Sequence, residues 1–94
     1  MRLSFSPKAA LDLEEIGDYI SRDNPTRALS FIDEIESHCQ RIVETPAAFP
    51  FRNDLAPGVQ MTVHGRYLIL FRALPDTIRI ERIVHGARKL SDFV

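Results

Sequence analysis

The 94-residue chain has one cysteine, four glycines and no long apolar run, and each shortage excludes something. A single thiol, Cys39, rules out an intramolecular disulfide. The opening MRLSFSPK lacks the apolar stretch of a signal peptide or a membrane span, so a cytoplasmic protein with no membrane partner is expected. His38 and Cys39 have no second pair at metal-ligand spacing, and neither Gly58 nor Gly65 sits in a phosphate-binding loop, so neither a metal nor a cofactor is expected.

What is present suits one small globular domain over residues 1–94, with 45% apolar and 27% charged residues. So short a chain buries only ~60–65% of its unfolded surface, which leaves apolar side chains near the surface or under a partner. Net charge is -1, but residues 1–59 hold six basic and ten acidic side chains, whereas residues 60–94 hold six basic and three acidic. The acidic excess belongs to the first part and the basic excess to the second.

RLSFS alternates, placing Leu3 and Phe5 on one face of a short strand that runs into Ser6-Pro7, a cap followed by proline at the first helical position. Ala9, Leu13, Ile16 and Ile20 then mark one face of a helix, with Gly17 beside the stripe. Asn24-Pro25 repeats the start signal, and Ala28, Ile32, Ile35, Cys39 and Ile42 mark a second helix ending by Thr45-Pro46. Cys39 lies within this stripe and reads as a packed apolar residue. His38 reads as a polar-side residue and His64 as a turn residue. PAAFPFRNDLAPG, residues 46–58, shows no periodicity and reads as a surface connection.

VQMTV, RYLILFR and TIRIERIVH are β-branched, aromatic and alternating, and they predict a three-strand antiparallel meander turning at His64-Gly65 and at Leu74-Pro75-Asp76. A turn at His64-Gly65 sets Val63 against Arg66. A four-residue turn at 73–76 aligns Ile78, Ile80, Arg82 and Val84 with Tyr67, Ile69 and Phe71 on the helix-packing face. The other face then carries an apolar floor of Met61, Val63, Leu68, Leu70 and Ile83, ringed by Arg66, Arg72, Arg79 and His85, which a free monomer would not normally expose. Arg82, placed on the core side, requires a partner such as an acidic residue of the first helix gripping its guanidinium in a fork. The predicted fold is α+β: an N-terminal strand and a helical hairpin packed on a mostly antiparallel sheet.

In this order and at these spacings, SPKAALDLEEIGDYI, NPTRALSFIDEI, DLAPGV, YLILFR and IRIERIVHGARKL resemble the ParE branch of the RelE/ParE toxin superfamily, nearly end to end. The resemblance implies a toxin of a type II toxin–antitoxin system, neutralised by a ParD-like antitoxin and acting on DNA gyrase, with growth inhibition and plasmid maintenance as its setting and no sequence-specific DNA binding. Exposed apolar residues are the candidate antitoxin contacts: Leu11 and Leu29, each off its helix's buried stripe, and Met61, Leu68 and Leu70 on the sheet.

The RelE branch offers an alternative, ribosome-dependent cleavage of messenger RNA. That chemistry needs a base, an acid and cations to hold transition-state charge, and Arg66, Arg72, His85 and Arg88 are the candidates. A base is hard to place among Asp76, Glu81 and Asp92, and Phe93 stands where RelE-type enzymes often carry a polar aromatic. Non-enzymatic binding is therefore the leading expectation, through Arg72, Arg79, His85, Arg88 and Lys89. In this reading Gly86 ends the last strand in a turn closed to other residues, bringing Arg88 and Lys89 beside His85.

Overall fold

A computed structural model describes residues 1–88 and Leu90. Strand β1 (Arg2–Phe5) leads into helix α1 (Pro7–Ser21), α2 (Pro25–Glu44) and a 3-10 turn at Pro46–Ala48, followed by β2 (Val59–His64), β3 (Tyr67–Ala73) and β4 (Thr77–His85). The strands lie in the order β1-β4-β3-β2, with β1 parallel to β4 and the other neighbours antiparallel. Two helices packed on a four-strand mixed sheet make the α+β fold that the sequence predicts.

Both helix starts follow their local chemistry. Ser6 Oγ accepts from the Ala9 N–H at 3.0 Å, Asn24 Oδ1 accepts from the Arg27 N–H at 3.0 Å, and a proline follows each cap. From the helices, Ala9, Ile16, Phe31, Ile35, Cys39 and Ile42 meet Ile69, Phe71, Ile78, Ile80 and Ile83 of the sheet. Each fully buried aliphatic side chain here contributes roughly 1.5–3 kcal/mol. Phe31 was not in the expected stripe; its ring instead reaches Tyr67 and His64 at the helix border. Burial pushes the Cys39 thiol up to about 12, in keeping with its reading as a packed residue.

The expected sheet register holds in parity and fails in detail. The β2–β3 turn is Gly65-Arg66 rather than His64-Gly65: His64 pairs with Tyr67 and Val63 with Leu68. Gly65 takes φ +58°, which its lack of a side chain permits. This differs by two residues from the expected pairing, and a shift of two leaves every side chain on its predicted face. The β3–β4 turn shifts likewise, with Arg72 opposite Arg79 and Ala73 opposite Ile78.

Beyond that point the prediction breaks, because the ladder slips between Leu70 and Phe71. Phe71 pairs with Ile80 but Leu70 with Arg82, so Glu81 is an extra residue in β4, a β-bulge. One inserted residue reverses all that follows. Ile83 now faces Ile69 in the core at 2% exposure, Val84 stands opposite Leu68, and His85 lies opposite Tyr67. Ile83 and His85 therefore do not belong to the face where the sequence put them.

Residues 46–58 are more than a surface connection. Phe51 bridges Gln60, the Arg52 N–H donates to the Val59 carbonyl at 2.6 Å, and the Met61 N–H donates to the Pro50 carbonyl at 3.1 Å. The buried Gln60 amide donates to the carbonyls of Pro46 and Phe49, at 2.7 and 3.1 Å. The segment thereby covers part of the outer edge of β2, an arrangement that non-local hydrogen bonds produce and no local periodicity announces.

Candidate functional site

Past the bulge, β4 runs on without β1 beside it. Ser6, the last residue before α1, closes the gap: its N–H donates to the Ile80 carbonyl at 2.8 Å and its hydroxyl to the Glu81 carbonyl at 2.7 Å. Helix α1 then supplies Asp12. This carboxylate accepts from Arg82 Nε at 2.7 Å and Nη2 at 2.8 Å, and from the Ile83 N–H at 3.0 Å. The fork expected for Arg82 is present, though the bulge gives it a different origin from the predicted core-side parity. Asp12 satisfies a guanidinium and a backbone donor that β1 does not reach.

A groove of about 640 Å³ opens beside this pair. One wall is α1, through Asp12, Glu15, Ile16 and Tyr19; the other is the end of the β3–β4 ladder, with Arg66, Tyr67, His85 and Arg88. Arg66, His85 and Arg88 are exposed, as is the Tyr19 side chain.

The turn after β4 holds these groups in place. The Gly86 N–H donates to the Arg66 carbonyl at 2.8 Å, and the Arg88 N–H donates to the His85 carbonyl at 3.0 Å. His85 Nδ1 accepts from the Ala87 N–H at 3.1 Å, which leaves the ring proton of the neutral imidazole on Nε2. The same ring stands edge-on to Tyr67 with centroids 5.5 Å apart. Gly86 does not take a positive φ, which occurs at Gly58 and Gly65. Its requirement is space: a Cβ there would meet the Arg66 carbonyl oxygen at 3.3 Å.

The remaining sequence candidates lie apart from the groove. Arg72 and Arg79 face each other across β3 and β4, and both reach Glu81. They form a local charge cluster rather than a free cationic ring. Among the apolar candidates, Leu11 is 53% and Leu29 70% exposed, Met61 and Leu68 are half-buried, and Val63 is exposed. Leu70 has no exposure at all, so it forms no part of an open floor. Lys89, Asp92 and Phe93 lie outside the described residues.

Sequence reasoning missed a polar network on the other side of Tyr67. His38 is buried on α2 rather than on its polar side, and His64 is the last residue of β2 rather than a turn residue. The two Nδ1 atoms lie 2.9 Å apart; His38 Nε2 is 3.2 Å from Thr62 Oγ1, and His64 Nε2 is 3.3 Å from Glu34 Oε1. Glu34 is held below the usual carboxylate range chiefly by its hydrogen bond to Arg27 and then by that to His64. A histidine on each of two distant segments is no signal in itself, and only the packing of α2 on β2 brings the pair together.

No helix among the described residues is long and apolar enough to cross a membrane. None of the curated proteins matches the sequence. Among solved structures, a chain from the chromosomal ParDE TA system of P. aeruginosa is similar in fold, with a TM-score of 0.77 at 27% sequence identity over 90% of this chain and 95% of that one. The family model described as ParE toxin of type II toxin-antitoxin system, parDE, matches residues 3–90, from the first strand through the turn that shapes the groove. That match and the shared arrangement of helices and strands make the chain a member of the ParE toxin family.

Proposed function

We propose that this ParE toxin acts by binding DNA gyrase through the groove between α1 and the end of β4, without chemistry of its own, and that a ParD-like antitoxin neutralises it. The observation that carries this reading is the division of the cations. Arg66, His85 and Arg88 line the groove, whereas Arg72, which the interferase constellation would need beside them, is not in the lining and is engaged by Glu81. A phosphodiester under in-line attack needs its cations converging on one point, and Arg72 lies outside the groove that holds the other three. A surface that presents exposed arginine and tyrosine to a partner does not share this requirement, and both residue types are favoured where proteins bind proteins.

For the antitoxin, the outward leucines of the hairpin, Leu11 and Leu29, with the half-buried Met61 and Leu68, are the contacts of this reading. A stable complex buries on the order of 1,200–2,000 Å² in total, so it extends well past any one of them. The compartment of this reading is the cytoplasm, and residues 1–94 act as one domain.

The deciding experiment adds purified protein to a gyrase supercoiling reaction, with trapped cleavage complexes counted, and maps messenger RNA ends by primer extension after induction in cells. Loss of supercoiling with intact message is the expected result. Codon-periodic cuts with undisturbed supercoiling would replace the proposal by the RelE-like alternative.

A further inference from the structure

The His38–His64 contact has a definite proton arrangement. Glu34 is a carboxylate, so His64 Nε2 must carry the hydrogen that it shares with Glu34 Oε1 at 3.3 Å. In a neutral ring that leaves His64 Nδ1 as an acceptor, so His38 donates from Nδ1 across the 2.9 Å separation. His38 Nε2 is then the acceptor for the Thr62 hydroxyl at 3.2 Å. Donors run in one direction, from Thr62 through His38 and His64 to Glu34, and every ring nitrogen is used.

We propose that this pair is an acid-sensitive latch, which holds the middle of α2 on the β2–β3 hairpin while the two rings share at most one added proton and releases it when both are charged. One proton is accommodated in place. It enters at His64 Nδ1, which now donates to His38 Nδ1; His38 moves its own hydrogen to Nε2 and donates to Thr62 Oγ1. A second proton finds no acceptor between the rings, because both Nδ1 atoms then carry hydrogen and face each other at 2.9 Å with like charge.

The surroundings set the balance between the two steps. From α2, Asp33, Glu34 and Arg41 line the same shallow cleft as His64, and Arg27 engages Glu34. From β2, Thr62 adapts to either proton arrangement by rotating its hydroxyl. From β3, Tyr67 lies opposite His64, and Phe31 of α2 packs against both of these rings. Burial first, and then the charges of Arg41 and His64, hold His38 below the usual imidazole range, so this ring resists charging. A histidine depressed in the folded state contributes stability that is complete above its unfolded value, about 6.5, and is lost as the pH falls through the folded value.

Release has a path to the groove. The residue after His64 begins the Gly65-Arg66 turn, and the Arg66 carbonyl holds the Gly86 N–H at 2.8 Å. Loosening the hairpin end therefore loosens the turn that presents His85 and Arg88.

The test is a pH titration of the purified full chain by NMR, following the ring resonances of all three histidines together with amide exchange. His38 and His64 are expected to titrate as a coupled pair in two separated steps, with the second accompanied by about tenfold faster exchange at residues 62–67 while the amides of Ile69 and Ile80 stay protected. In His38→Gln the acid-induced rise at residues 62–67 should vanish. Independent one-proton curves for His38 and His64, or exchange at 62–67 that does not respond to the second step, would overturn the latch. Should His38→Gln fail to fold, the wild-type titration decides alone, and neither measurement depends on whether gyrase is the target.

Discussion

From Ile78 to Ile80, β4 is paired on both sides, with β1 and β3, and its side chains alternate as the sequence pattern predicts. From Arg82 to His85 it keeps β3 on one side, while α1 with its Asp12 takes the place that β1 has left. The first half is a ladder whose side-chain order follows from pairing; the second is held by side chains from another element. Ladder bonds repeat every two residues and can be read from a pattern, but a bond to a helix carboxylate has a single address. The candidate groove falls on the same line, since Arg82, Ile83, Val84 and His85, which line it, belong to the half that α1 holds.

The most severe way to break this comparison is Asp12→Ala. It leaves the Arg82 guanidinium and the Ile83 N–H facing the site of a lost acceptor, and the expected cost is about 3–5 kcal/mol, measured by urea denaturation. A loss below ~1 kcal/mol would mean that the second half of β4 holds itself in place.

Ile83→Ala tests the bulge directly. With Glu81 as an extra residue Ile83 is a core residue, and its truncation should cost about 2–4 kcal/mol, close to what Ile80→Ala costs in the first half. Without the bulge Ile83 would be a half-exposed floor residue, and the change would fall nearer ~1 kcal/mol.

The smallest effect on folding is expected at the groove. His85→Ala and Arg88→Ala should each change stability by under ~0.5 kcal/mol, yet under the proposed function they should abolish growth inhibition at matched expression. His85 does give up a turn hydrogen bond to the Ala87 N–H, so Arg88→Ala is the cleaner probe. Full toxicity in both variants would separate the groove from the working surface.

Much of this molecule was legible. Proline after a capping side chain marked both helix starts because that pairing acts within a few residues. The exposure of Leu11 and Leu29 followed from helical spacing alone. The need for a partner at Arg82 follows from cost: a guanidinium drawn from water requires an acceptor, either an acidic residue of the first helix or backbone carbonyls, and Asp12 is the one found. Three of the groove residues, Arg66, His85 and Arg88, were already candidates, although nothing in the sequence placed Tyr19 across from them.

What the sequence determined by itself is therefore what depends on near neighbours and composition: the helices, the strands, their apolar faces as far as Ile80, the need for a partner at Arg82, and the family. Tertiary structure decided the pairing register, the extra residue at Glu81, the burial of Leu70 and the meeting of His38 with His64. The reason is one of parity and distance. A two-residue shift of a hairpin costs no side chain its face and so leaves no trace in the pattern, whereas a one-residue bulge changes every face after it. Here the bulge lies where Ser6 bonds to Glu81 and Asp12 to Ile83, and both of these contacts span more than two-thirds of the chain.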